Sequence, residues 1–234
     1  MISQILLIGF LIFNPAASSA QQSPKKGEVL KLQGQVINLE SQEPIRVEAT
    51  ITFETLPYGN DMGVTQVAPY ANYEFYLRKS NDYKVQAKAK GYAAISRVLE
   101  PGKYQEEGLN LDFEMKPVNI GDILTYDNLQ FEQGKSDITV PAARDLDDLV
   151  ATMQMNPGME IQVEGHTDIS GNPKLNKKLS EERVEEVKYF LIYRGIDKNK
   201  IETKAFGDTK PLITSGTIED RSINRRVEIR ITAI

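Results

Sequence analysis

The 234-residue chain contains no cysteine, and its only histidine is His166. The absence of cysteine excludes disulfide bonds, cysteine-ligated metal centres and the cysteine-linked anchor of a lipoprotein. A zinc site or a histidine-dependent catalytic triad would have to use His166. A hydrolase with paired carboxylates stays formally open, although no acidic pair stands out by its spacing. We therefore expect no metal, no other cofactor and no enzymatic activity.

An excess of basic residues is also absent. The chain has 28 lysines and arginines against 33 aspartates and glutamates, a formal net charge of −5. Nucleic acid favours clustered positive charge, so we expect no nucleic-acid partner. The longest apolar run, Ile5–Phe13, has about half of the roughly twenty residues that cross a bilayer. We therefore expect no transmembrane span.

The N-terminal residues 1–20 have the pattern of a secretory signal peptide. Small residues follow the apolar run, and Ser18 and Ala20 are placed for a signal peptidase. No lysine or arginine precedes the run, so the amino terminus alone supplies positive charge there. We expect cleavage before Gln21, a flexible segment over residues 21–27, and export to the periplasm.

Residues 28–116 follow a period of two, which is typical of β-strands. Turn-forming pairs such as Glu43-Pro44 and Pro101-Gly102 separate the alternating runs. Several short strands without a helical stretch predict an all-β sandwich. The alternating runs begin at Leu30, Val47, Tyr73, Tyr83 and Leu109.

Residues 122–234, which follow a predicted linker at residues 117–121, alternate between strand and helix periods. Thr139 is placed to cap the first helix, Pro141 lies in its early turn, and Gly195 is placed to end the second helix. The order strand, helix, strand, helix, strand, strand predicts an α/β domain with a mixed sheet and helices on one face. The first helix carries an apolar stripe of Leu146, Leu149, Val150 and Met153.

Polar residues that a fold does not require cluster in the second half. The segment 165–172 leaves a predicted strand and enters a turn. On the helix that follows, Asn176, Ser180 and Arg183 are spaced by four and three residues, so they share one face. That face lies near Asp168 if the turn folds back. Two further arginines enter the last strand of the domain.

These residues resemble the OmpA-like peptidoglycan-binding family over about residues 122–234. The resemblance implies that this domain binds the diaminopimelate residue of the peptidoglycan stem peptide, whose free end carries an ammonium beside a carboxylate. The residues that carry it are Gly165-His166-Thr167-Asp168, Gly171, Asn176, Leu179-Ser180, Arg183, Gly195-Ile196, Gly207, Pro211 and Asn224-Arg225-Arg226-Val227.

The resemblance also implies a role for each site residue. Asp168 accepts hydrogen bonds from the ammonium, and Arg183 donates two parallel hydrogen bonds to the carboxylate. Thr167 and Asn176 supply neutral hydrogen bonds. Asn224 and Arg225 line the pocket or contact a second carboxylate of the ligand. We expect Asp168 and Arg183 to neutralise each other in an empty, half-open pocket and to contribute to binding rather than to folding.

Simpler interpretations exist for the same residues. Asp168 and Arg183 can be a structural ion pair without a ligand. The stretch Asn224-Arg225-Arg226 can be a solvated strand face, which would be the better interpretation if it stood alone. His166 is more typical of a hydrogen-bonded turn residue than of a ligand contact.

The first half resembles carboxypeptidase-regulatory, transthyretin-like sandwiches in Leu32–Val36, Glu43-Pro44-Ile45, Tyr73–Leu77 and Lys90-Gly91-Tyr92. Two hypotheses follow for the whole chain. In the first, the second domain binds peptidoglycan while the sandwich binds an envelope protein, which tethers the cell wall. In the second, the chain is a subunit of a larger envelope secretion or motility complex, and wall binding is only its anchor. Both place the protein in the periplasm, in association with the outer membrane or cell wall.

Overall fold

The computed structural model describes residues 27–57, 59, 61–126 and 128–234. The predicted signal peptide and residues 21–26 of the predicted flexible segment lie outside these residues. The chain divides into two compact units, one up to Pro117 and one from Val118. None of the helices within the described ranges is long and apolar enough to cross a membrane.

The described residues of the first unit form eight β-strands in two four-stranded sheets. One sheet is antiparallel, in the order β3-β2-β5-β6. In the other sheet β1 pairs antiparallel with β4 and parallel with β7 and β8. The strands are β1 (Val29–Asn38), β2 (Ala49–Thr55), β3 (Met62–Val67), β4 (Asn72–Arg78), β5 (Tyr83–Ala89), β6 (Ile95–Leu99), β7 (Gly108–Asn110) and β8 (Phe113–Met115).

Side chains from both of these sheets share one hydrophobic cluster. Phe53 of β2 stacks on Phe75 of β4 with 5.1 Å between ring centroids, and Tyr83 of β5 meets Phe53 edge-on. Successive strand residues point to opposite faces, so the period-two pattern directs every second side chain into this core. The likeness to carboxypeptidase-regulatory modules stays a prediction.

The second unit has a four-stranded mixed sheet and two α-helices, as the sequence predicts. The sheet order is β11-β10-β12-β9, with β10 parallel to β11 and β12 antiparallel to both of its neighbours. Helix α2 packs against β10 and β11, and α1 packs against α2. The elements are β9 (Ile123–Leu124), α1 (Val140–Met155), β10 (Glu160–His166), α2 (Pro173–Tyr193), β11 (Ile201–Gly207) and β12 (Val227–Ala233).

Local sequence signals fix the ends of both helices. The Thr139 hydroxyl accepts from the Ala142 amide at 3.3 Å and caps α1. Asn172 caps α2 in the same way and Pro173 follows it. Gly195 ends α2 with φ of +91°, a backbone conformation that costs glycine little. The N-terminal cap of α2 bears on the candidate site because two of the predicted site residues, Asn176 and Arg183, lie along its first three turns.

Gly165 allows α2 to approach the sheet closely. A β-carbon at this position would lie 2.6 Å from the Ser180 carbonyl oxygen and 2.6 Å from the Val184 Cγ1 atom. Because one of these atoms belongs to the helix backbone, the contact cannot be relieved by a side-chain rotation. This close packing brings the end of β10 next to the helix face that carries Ser180 and Arg183.

We therefore expect Gly165→Ala to lower the free energy of unfolding by about 1–3 kcal/mol through overpacking. Thermal unfolding followed by circular dichroism would measure the effect. Gly108→Ala is the matched control, because its β-carbon would find only the Lys31 carbonyl oxygen, at 3.8 Å. Equal stability of the two variants would contradict the packing described for α2.

Candidate ligand-binding cleft

A cleft of about 410 Å³ lies between the end of β10, the N-terminal half of α2 and the turn at residues 133–134. The structure brings five of the six predicted site residues into its lining: Thr167, Asp168, Asn176, Arg183 and Arg225. The sixth, Asn224, is fully buried beside the cleft and donates from Nδ2 to Asp168 Oδ1 at 3.4 Å.

The Asp168 carboxylate is held by several donors. Arg221 Nε lies 3.1 Å from Oδ1 and 3.3 Å from Oδ2, and the Ser170 hydroxyl donates to Oδ2 at 2.7 Å. Burial raises the pKa of Asp168, but the hydrogen bonds from Ser170, the Ile169 amide, Asn224 and Arg221 together hold that pKa below its usual value. The carboxylate is therefore ionised at neutral pH and can accept from a cation.

Arg183 is fully buried, and its guanidinium is bonded to the backbone. It donates from Nε to the Lys135 carbonyl at 2.9 Å, from Nη1 to the His166 carbonyl at 3.0 Å and from Nη2 to the Glu132 carbonyl at 3.1 Å. It also lies over the Phe131 ring, 4.9 Å from the centroid. These contacts join the turn at residues 132–135 to the end of β10.

The position of Arg183 differs from the expectation of a half-open pocket with two mutually neutralising charges. Within the part of the chain that the structure describes, no ion pair joins Arg183 to a carboxylate, and Asp168 pairs with Arg221 instead. The physical reason is that backbone carbonyls from a distant turn satisfy the guanidinium. Arg183 therefore supports the fold as well as the cleft.

Positive charge accumulates on the arginine side of the cleft. Burial, together with the nearby Arg225 guanidinium, lowers the pKa of Arg183 to about 10. Arg183 therefore still carries its charge at neutral pH. Arg225 is partly exposed and donates from Nε to the Phe131 carbonyl at 3.1 Å. The cleft thus combines a carboxylate with two guanidinium groups for which the described residues supply hydrogen-bond acceptors from backbone carbonyls and no carboxylate partner. It can therefore accept an anion and a cation together.

The neutral residues hold the turn that carries Asp168. Asn176 Nδ2 donates to the Ser170 carbonyl at 3.1 Å and to Asp208 Oδ2 at 3.0 Å. The Thr167 hydroxyl is buried and has no hydrogen-bond partner among the described residues. Its amide donates to the Gly207 carbonyl at 2.9 Å, which fixes the turn against the end of β11.

Sequence reasoning missed two residues of this site, Ser170 and Arg221. A signal for Arg221 was present: it lies three residues before Asn224 in a short 3₁₀-helix, Asp220–Asn224. Residues three apart in such a helix point to the same side, so an arginine at this spacing reaches the same carboxylate as Asn224. Ser170 carried only the weaker signal of a hydroxyl two residues after an aspartate.

A second polar cluster lies on β10 and β12, where Glu164, His166 and Glu228 bring one ligand-type atom each within 4.8 Å of the others. Arg230 donates to both oxygens of Glu164, at 2.6 and 3.2 Å, and Arg226 donates to Glu228 at 2.7 Å. Burial lowers the pKa of His166 to about 4, so its ring is neutral at pH 7. Each carboxylate already has a cationic partner, which gives the cluster the character of a salt-bridge network.

The OmpA family model matches residues 130–225. The chain is 42% identical over 92 residues to outer membrane protein A of Bordetella avium. The aligned region covers 39% of this chain and 47% of that protein. It is 34% identical over 101 residues to the peptidoglycan-associated lipoprotein of Haemophilus influenzae. That aligned region covers 43% of this chain and 66% of the lipoprotein. The chain therefore spans less than two thirds of the length of these relatives.

Among solved structures, the periplasmic domain of Helicobacter pylori MotB is 26% identical, with a TM-score of 0.44. That comparison covers 50% of this chain and 78% of the MotB chain.

Proposed function

We propose, from the match of residues 130–225 to the OmpA family model, that the chain binds peptidoglycan non-covalently through the diaminopimelate of the stem peptide. One observation carries the proposal: Asp168 lines a cleft whose other charged residues include two arginines without an acidic partner among the described residues. The free end of diaminopimelate has the complementary pair of charges, an ammonium beside a carboxylate.

In the proposed complex Asp168 accepts from the ligand ammonium, because its oxygens are ionised and held in place by Arg221 and Ser170. An arginine has five N–H groups, and Arg183 uses three of them on backbone carbonyls. The partly exposed Arg225 donates to the ligand carboxylate, and the buried Arg183 contributes its positive charge to the same cleft. A charge-assisted bond of this kind is about twice as strong as a neutral one.

The neutral residues of the site complete the proposed recognition. The unpaired Thr167 hydroxyl supplies a hydrogen bond to the ligand, and Asn176 lines the same wall of the cleft. Asn224 acts on the ligand indirectly, since it is buried and donates to Asp168. None of these roles requires a metal or another cofactor.

The same comparisons support a place in the cell envelope. Relatives named outer membrane protein A and peptidoglycan-associated lipoprotein match the C-terminal unit. The proposed location is the periplasm, in association with the outer membrane or the cell wall. The eight-stranded first unit then holds an envelope protein, so that the whole chain tethers the wall to that partner.

Binding rather than catalysis is the proposed activity. The single histidine, His166, is only 1% exposed and stacks on Phe206. A general base must reach the proton that it removes, and a ring buried in this way does not reach a ligand in the cleft. Several donors hold the Asp168 carboxylate ionised and in place, which suits a fixed acceptor.

We expect the full chain to bind a stem peptide with diaminopimelate at least about tenfold more tightly than the same peptide with lysine. The lysine peptide keeps the amine but lacks the carboxylate, and a hydrogen bond to a charged group is worth about 1.5–3 kcal/mol. Titration calorimetry with the two peptides measures the difference. Equal affinity for both peptides would show that the arginines do not bind that carboxylate.

A further inference from the structure

Arg221 contacts Asp168, Ser170 and the backbone at Gly216 through one guanidinium. Its Nε atom bridges both oxygens of Asp168, its Nη2 donates to the Ser170 hydroxyl at 3.1 Å, and its Nη1 donates to the Gly216 carbonyl at 2.6 Å. All three nitrogens of the guanidinium are therefore engaged within the protein. The side chain is 16% exposed and is not part of the cleft lining. Arg221 thus contacts Asp168 without lining the cleft.

The location of the other charges makes these contacts significant. Arg183 and Arg225 line the same cleft as Asp168. Two cations without an acidic partner attract a nearby carboxylate strongly, because a partly buried site screens charge much less than water does. An Asp168 side chain without its own partner would turn toward these arginines. The cleft would then be neutralised internally, and the ligand would have to break an ion pair before it could bind.

The remaining ionisable groups around Asp168 do not substitute for Arg221. Lys178 and Glu182 line the cleft but pair with each other, with 3.7 Å between Nζ and Oε1. Asp208 bonds to Asn176, and Asp220 bonds to the amide and the hydroxyl of Thr217. Among the described residues, Arg221 is the one cation in an ion pair with Asp168.

We propose that Arg221 is a positioning residue that holds Asp168 apart from the two cleft arginines, so that both charges of a zwitterionic ligand meet an available partner. The inference rests on the proposed function and adds a residue to it. Arg221 does not contact the ligand. It acts on binding only through the orientation of the Asp168 carboxylate. Its Nε donates to that carboxylate while its Nη2 donates to the Ser170 hydroxyl, a pair of contacts that a lysine cannot reproduce.

A double-mutant cycle tests this role, with Arg221→Met, Asp168→Asn and the combined variant of the full chain. The probe is the diaminopimelate tripeptide, titrated by NMR so that weak binding is still measured. Arg221→Met should weaken binding roughly tenfold in the wild-type background, as expected for loss of a charge-assisted contact. In the Asp168→Asn background the same change should have no further effect, because the residue through which Arg221 acts has lost its charge.

Two variants control for general damage. Arg221→Lys should recover part of the affinity, since it restores the positive charge but not the paired contacts of the guanidinium with Asp168 and Ser170. Arg194→Met removes an arginine that pairs with Asp147 at 3.1 Å, remote from the cleft, and should bind the peptide as the wild type does. Thermal unfolding of each variant reports whether the fold is retained.

Two results would overturn the inference. One is wild-type affinity in Arg221→Met. The other is an equal loss in both backgrounds, which would mean that Arg221 only holds the segment around Gly216. These results differ from failure of the proposed function, in which the wild-type chain itself does not bind the peptide.

Discussion

Arg183→Met should lower the free energy of unfolding of the C-terminal unit by about 3–5 kcal/mol. The substitution removes the charged donor of three backbone carbonyls, and a hydrogen bond from a charged group is worth about 1.5–3 kcal/mol. Methionine fills part of the space, so the loss comes mainly from the hydrogen bonds rather than from a cavity. The three carbonyls belong to Glu132, Lys135 and His166, so the turn at residues 132–135 would lose its attachment to β10.

Urea unfolding followed by circular dichroism measures this change, with Arg194→Met as the matched control. Arg194 pairs with Asp147 on the surface with a side-chain exposure of 44%, and such pairs contribute about 0–1 kcal/mol. A comparably small effect of Arg183→Met would mean that its three hydrogen bonds do not support the fold. The sequence alone predicts such a small effect, because it assigns Arg183 to binding rather than to folding. The experiment therefore distinguishes that prediction from the structural role described above.

The features that the sequence predicted well depend on local signals. Thr139 with Pro141 and the glycine at 195 mark helix ends through contacts within a few residues, and the structure confirms both ends. The mixed sheet with two helices follows from the change between periods of two and 3.6. The polar residues that the sequence singled out also lie together, since five of the six predicted site residues line one cleft.

The features that the sequence did not predict depend on distant partners. Arg183 is satisfied by carbonyls of residues 48 and 51 positions earlier in the chain, and a backbone carbonyl has no residue type that a pattern can show. The partner of Asp168 was misjudged for a related reason. Arg183 was the nearest arginine on the helix face, whereas Arg221 reaches the carboxylate from a 3₁₀-helix 53 residues later. Ion-pair partners are chosen by tertiary geometry.

Charge reversal at Asp168 should have the largest effect on binding. Asp168→Lys places an ammonium where the ligand ammonium has to lie, so it replaces an attraction by a repulsion. Asp168→Asn keeps the shape and removes only the charge. It should weaken binding at least about tenfold, because a hydrogen bond to a charged group is worth about 1.5–3 kcal/mol. A cooperative thermal transition in both variants checks that the fold is retained, and Asp147→Asn controls for the loss of a surface carboxylate.

Co-sedimentation of the full chain with purified peptidoglycan sacculi that contain diaminopimelate tests the central claim most directly. The account predicts that the wild type and Asp147→Asn pellet with the sacculi, that Asp168→Asn pellets weakly, and that Asp168→Lys stays in the supernatant. A wild-type chain that stays in the supernatant, or a folded Asp168→Lys chain that pellets as the wild type does, would contradict peptidoglycan binding through this cleft.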